Sequence, residues 1–119
     1  MSANPIVHWE LMGPDGDGLK GFYASIFDWS FASMEGFEGY HMTEGDNMGV
    51  NGAIGRGSDE MPVYQCIYVS VEDIDAKLAE VEANGGATAM PRTEIPGVVT
   101  FAMFKDPAGN LVGLVEAGE

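Results

Sequence analysis

Apolar and polar positions alternate along residues 6–11, with Val7, Trp9 and Leu11 on one face and Ile6, His8 and Glu10 on the other. This is the two-residue period of a strand. A loop rich in glycine and aspartate follows over residues 12–18, and then the period changes. Leu19, Phe22, Tyr23 and Ile26 fall at helical spacing, which predicts a short amphipathic helix entered near Asp17 and left at Asp28-Trp29-Ser30. Short runs at 30–34, 40–43 and 48–54, separated by Gly, Glu and Asp, predict a meander of strands. The glycine-dense stretch 49–55 lacks the Gly-Lys-Ser/Thr ending of a phosphate loop. It fits a strand and turn lining a cavity.

The order then repeats. Residues 63–71 alternate again, with Ile67, Val69 and Val71 on one face and Tyr64, Cys66, Tyr68 and Ser70 on the other. A helix is predicted over 72–84, with Ile74, Leu78 and Val81 as its apolar stripe. Ser70 and Asp73 fit a capping box, Glu72, Asp73 and Asp75 load the first turn with negative charge, and Gly85-Gly86 supplies the stop. Residues 87–90 fit a brief strand and 91–97 a loop. The chain closes on two apolar runs, 98–104 and 111–116, joined by Lys105-Asp106-Pro107-Ala108-Gly109-Asn110. Asp-Pro starts a turn, and Gly109 or Asn110 can take a positive φ, so an antiparallel hairpin is expected. Sliding the first half onto the second brings His8 onto Cys66 and Asp15 onto Asp73. Two halves of strand, helix and several short strands predict an α+β fold.

Composition narrows the class. The 119 residues are one domain's worth of chain, long enough to bury a substantial core. Nineteen acids against five bases give a formal charge of -14, which argues against nucleic acid or an anionic membrane surface as a partner. The acids are spread along the chain, as on a solubilising surface. A single cysteine, Cys66, excludes an internal disulfide and fits a reducing cytosol. There is no basic-then-apolar leader at the start and no long apolar run, so a cytoplasmic protein is expected.

The stretches 8–15, Phe22-Tyr23, Phe27-Asp28-Trp29, 71–86 and 104–110 running into Leu114-Val115-Glu116 together resemble the vicinal-oxygen-chelate superfamily, which contains the glyoxalase, bleomycin-resistance and extradiol dioxygenase proteins. The resemblance spans nearly the whole chain. It rests most on the helix ending in Gly-Gly and on the Asp-Pro-x-Gly-Asn hairpin. It implies one domain of two βαβββ modules, about 4–57 and 63–117, forming a curved mixed sheet around a cavity. It also implies a divalent ion held, in the metal enzymes, by first- and last-strand residues of each module. Carried onto this chain, those positions are His8, Cys66, Gly113 and a residue within 48–53, where Asn51 is the one plausible donor.

Those residues depart from the metal pattern. A catalytic ion needs about three protein ligands and an open position. Here one position carries an imidazole, one a thiol, and Gly113 has no side chain. The chain has only two histidines, and His41 lies outside the matched positions. The expectation is therefore a metal-independent, cofactor-free small-molecule binding protein, with an apolar or aromatic ligand in the sheet cavity. His8, Glu10, Asn51, Tyr64, Cys66, Tyr68 and Gly113 are the expected ligand-binding residues. Glu10 is the most interesting of them, as an acid/base group or polar anchor beside Tyr64 and Tyr68, or else as a charge paired with Arg56 or Arg92. The competing reading is a lyase, isomerase or dioxygenase holding a divalent metal through His8 and Glu10. Members of the superfamily with one domain often dimerise, which implies a homodimer. Ser, His, Cys and Asp occur in no nucleophile motif.

Overall fold

A computed structural model of the chain describes residues 3–45 and 49–117. Met48, expected to open a strand and to bound the last-strand position of the first half, lies outside the described residues. The chain divides into two compact units, one of residues 8–65 and one of residues 1–7 with 66–119.

The 8–65 unit carries most of β1 (Ile6–Gly13), α1 (Gly16–Phe27), β2 (Ser30–Ser33), β3 (His41–Glu44) and β4 (Ala53–Arg56). Its strands lie in the order β2-β3-β4-β1. β1 and β4 are parallel, while β2–β3 and β3–β4 are antiparallel. Asp15, not Asp17, caps α1, accepting from the Gly18 N–H at 3.0 Å. The helix therefore starts earlier than its apolar spacing suggests. Gly16 is buried against backbone atoms of Gly39, Gly55 and Arg56, where a side chain has no room, and this holds the start of α1 close to β4.

The apolar stripe expected on α1 is only partly used. Leu19 and Tyr23 are half-buried, but Phe22 and Ile26 are 56% and 52% exposed. Tyr23 and Phe27 instead meet Trp29, which covers the end of the helix, with the Tyr23 and Trp29 rings stacked 5.8 Å apart. Trp9 joins this group at 5.3 Å from Trp29. Its ring lies directly on Gly52, and its indole N–H donates to Val50 O at 2.8 Å. The glycine-dense stretch thus serves close approach of an aromatic ring.

The other unit carries β5 (Tyr64–Val71) from Cys66 onward, α2 (Ile74–Ala83), β6 (Ala87–Ile95), β7 (Val99–Lys105) and β8 (Leu111–Glu116). The strand order β5-β8-β7-β6, with β5 and β8 parallel and the other pairs antiparallel, repeats the connectivity of the 8–65 unit. The chain is thus α+β, built of two βαβββ repeats. Val71, Ile74, Leu78, Ala102 and Leu114 form its core, with Val69 and Phe104 packed against them. Ile67, expected on that same face, is 41% exposed.

Two expectations here need correction. Asp73 is the N-cap of α2, its carboxylate accepting from Ala76 N–H at 3.0 Å, while the Ile74 N–H turns to Glu116 Oε2 at 3.4 Å. The helix begins at Ile74, so Ser70 remains in β5. Of the expected loop 91–97 only 96–97 is a turn, because β6 continues through Pro91 to Ile95. Proline lacks an N–H, and the strand accommodates it at the end of the strand order, within register shifts between Thr88 and Thr93. The closing hairpin forms as expected. Asp106 accepts from the Ala108 and Asn110 N–H groups, and Gly109 takes φ +97°.

Candidate functional site

Alternation along β1 puts His8, Glu10 and Met12 on the face opposite Trp9 and Leu11. Glu10 is the buried charge of that face, 8% exposed. A carboxylate in that position needs donors to compensate lost hydration, and tyrosines supply them. The Tyr40 hydroxyl donates to Glu10 Oε2 at 2.6 Å, and the Tyr64 hydroxyl lies 3.5 Å from Oε1. Tyr40 stands just ahead of β3 and reaches the β1 face beside Gly55, close to which its ring and the Met12 side chain both lie.

His8 extends the arrangement. Its Nε2 is 3.1 Å from the Tyr40 oxygen. Because the Tyr40 proton is directed to Glu10, the neutral imidazole donates through Nε2–H to that oxygen, giving a chain from His8 through Tyr40 to Glu10. Burial holds the His8 pKa below its usual 6.5, against the opposing pull of the Glu10 carboxylate. A buried carboxylate at the end of a phenol and imidazole chain can accept a hydrogen bond or a proton from a bound molecule, and the chain offers that proton a route.

The other expected residues lie as follows. Tyr64 joins His8 and Glu10 in the 8–65 unit. Asn51 belongs to the same unit but turns elsewhere. It accepts from Thr43 Oγ1 at 2.8 Å and is exposed. The β1–β4 register sets Ala53, which is wholly buried, beside Glu10. In the other unit Cys66 and Tyr68 are buried, each 6% exposed. Tyr68 is the register partner of Gly113, and its ring lies where a Gly113 side chain would begin. Arg92 is engaged elsewhere, in a two-point pairing with Glu116 at 3.1 Å for each contact.

Sequence patterning did not bring Tyr40 to Glu10. It falls in a run legible as a strand start, and no local period links positions 30 residues apart.

The metal that the fold family implies does not fit these residues. In the 8–65 unit His8 and Glu10 share the Tyr40 phenol and Ala53 offers no donor side chain, and in the other unit the Tyr68 ring occupies the space over Gly113, which has no side chain. Among the described residues no three His, Cys, Asp or Glu side chains gather as a set for an ion.

Comparison with known proteins places the chain. The family model described as Glyoxalase/Bleomycin resistance protein/Dioxygenase superfamily matches residues 5–114. CFP32 of Mycobacterium bovis, a glyoxylase in name, is 31% identical over 114 residues, which are 91% of this chain and 44% of that protein. The anthracycline biosynthesis protein DnrV of Streptomyces peucetius is 29% identical over 117 residues, covering 85% of this chain and 42% of its own length. The chain thus spans less than half the length of these relatives. Among solved structures, the hypothetical protein BH1468 of Bacillus halodurans superposes with a TM-score of 0.71 at 16% identity, covering 99% of this chain and 97% of its own. Methylmalonyl-CoA epimerase of Mycobacterium tuberculosis gives 0.69 at 13% identity, covering 100% and 93%. At such identities the likeness speaks for the fold.

Proposed function

The chain belongs to the glyoxalase/bleomycin resistance protein/dioxygenase superfamily, and on that footing we propose that it binds a small apolar or aromatic molecule without a metal, using Glu10 as the polar anchor. One observation carries this reading: a buried carboxylate held by the Tyr40 hydroxyl at 2.6 Å, where the family's metal chemistry would need further donors. Charge is costly to bury, and a carboxylate kept there suits a ligand that presents a hydrogen-bond donor. The nearby Tyr64 supplies an amphipathic ring, apolar along its body and polar at its tip.

The test is a thermal-shift screen of small aromatic compounds and metabolites in the presence of chelator. The reading expects at least one compound to raise the melting temperature of the wild-type chain, and expects that rise to be lost in Glu10→Gln. Stabilisation that appears only when a divalent ion is added would support the metal-dependent enzyme instead.

Two further parts of the proposal concern setting. A second copy is the proposed partner, supported by Phe22, Ile26 and Phe27, all more than half exposed on one helix. A monomer mass by light scattering at micromolar concentration counts against it. A cytoplasmic location is proposed because the sequence holds one cysteine, Cys66, and so no disulfide within the chain. Among the described residues no helix is long and apolar enough to cross a membrane.

A further inference from the structure

One imidazole in the 8–65 unit joins a hydroxyl to a carboxylate. β2 and β3 pair with Ser33 directly opposite His41, so both side chains leave the ladder on the same face. Asp17, in the first turn of α1, meets His41 Nε2 at 2.7 Å, and Ser33 Oγ stands 3.3 Å from Nδ1. The histidine is buried, whereas Ser33 is exposed and the Asp17 side chain is 79% exposed.

In the neutral imidazole these two contacts fix the tautomer. A carboxylate only accepts, so Nε2 carries the hydrogen toward Asp17 and Nδ1 is left as the acceptor facing the Ser33 hydroxyl. Hydroxyl, base and orienting carboxylate stand in the order of a nucleophilic triad, with the two ring nitrogens exchanged relative to the serine proteases. Recognition of such a set rests on geometry and roles, which is why the absence of a sequence motif did not reveal it. Phe31 lies two positions before Ser33 on the same face of β2, and its ring meets Trp29 at 6.5 Å. An apolar aromatic wall therefore stands next to the exposed hydroxyl.

We propose that Ser33 is a nucleophile toward small aromatic esters, with His41 as its base and Asp17 as the residue that orients and charge-stabilises the imidazole. Ser33 Oγ attacks the ester carbonyl carbon while its proton passes to His41 Nδ1. The bond from that carbon to the aryl oxygen breaks, and the departing phenolate takes up the proton from Nδ1. The acyl group remains on Ser33 until water, activated by the same nitrogen, releases it as a carboxylic acid. This site is separate from Glu10 and does not depend on the reading given for it.

The experiment treats the folded full chain with p-nitrophenyl acetate and maps acetyl groups by peptide mass spectrometry. Acetylation at Ser33 is expected, and it disappears from that peptide in Ser33→Ala. His41 is buried, so its replacement risks the fold. Asp17→Asn changes an exposed carboxylate instead and is expected to slow Ser33 acetylation about a hundredfold, within the range of base catalysis. Acetyl groups on lysines alone, with Ser33 unmodified, would overturn the proposal. So would equal rates of Ser33 acetylation in the wild type and Asp17→Asn.

Discussion

The ring of Tyr68 rests on the backbone of Gly113, its partner across the β5–β8 pair, and fills the space where any side chain at 113 would start. The two residues are therefore matched. Gly113→Ala is expected to destabilise the chain by about 1–3 kcal/mol through overpacking, measured by denaturant unfolding. In a Tyr68→Ala background most of that cost should vanish, because neighbours that share space do not add independently. Equal costs in both backgrounds would contradict the contact.

Tyr40 is the second test of packing against chemistry. Its hydroxyl satisfies a buried carboxylate, and hydrogen bonds to charged groups contribute about 1.5–3 kcal/mol. Tyr40→Phe keeps the ring and removes the donor, so a loss of that size is expected in unfolding free energy. A loss near zero would mean that solvent replaces the phenol easily.

His8 makes a pH prediction. Its folded pKa lies below 6.5 because burial disfavours the charged form. Between that folded value and 6.5 the unfolded chain binds more protons, so stability is fully present above 6.5 and falls as pH drops through the folded pKa. Asp106 and Glu116 are also held below their usual 3.8 and 4.5, Asp106 by its hydrogen bonds to Asn110 and Glu116 by its hydrogen bond to Arg92. Their contributions are lost at lower pH and leave the His8 window distinct. Denaturation midpoints from pH 7.5 downward should fall below 6.5 in the wild type, and His8→Asn should flatten that stretch. An unchanged slope in the variant would contradict the assignment.

Asp73 tests the start of α2. Asp73→Ala should cost about 1 kcal/mol as a lost N-cap, while Asp73→Asn, which keeps an acceptor, should cost far less. Ser70→Ala should change the helix little, since Ser70 remains within β5.

The contrast between these residues shows what local pattern carries. The closing hairpin was legible because Asp106 and Gly109 act within a few residues of each other, and α2 was legible because its stripe and its cap are local. Pro91 misled because a proline usually breaks a strand, and only the position of β6 in the strand order with its shifted register makes it acceptable. The α1 stripe misled because Tyr23 packs its ring among those of Phe22, Phe27 and Trp29, while Phe22, Ile26 and Phe27 each stay more than half exposed. Within the site, His8 and Glu10 follow from alternation along one strand. Tyr40 and the Ser33–His41–Asp17 set depend on strand pairing and on the seat of α1, and those are tertiary facts.

The most direct measurement is the dissociation constant of a compound found by the thermal-shift screen, taken with chelator and again with added divalent ion, for the wild type and Glu10→Gln. Loss of a hydrogen bond to a charged group corresponds to about 10- to 100-fold in affinity. Metal-independent anchoring by Glu10 predicts the same constant with chelator and with metal in the wild type, and a weakening of that size in Glu10→Gln. Binding that requires the ion, or that is equally tight in Glu10→Gln, would contradict it.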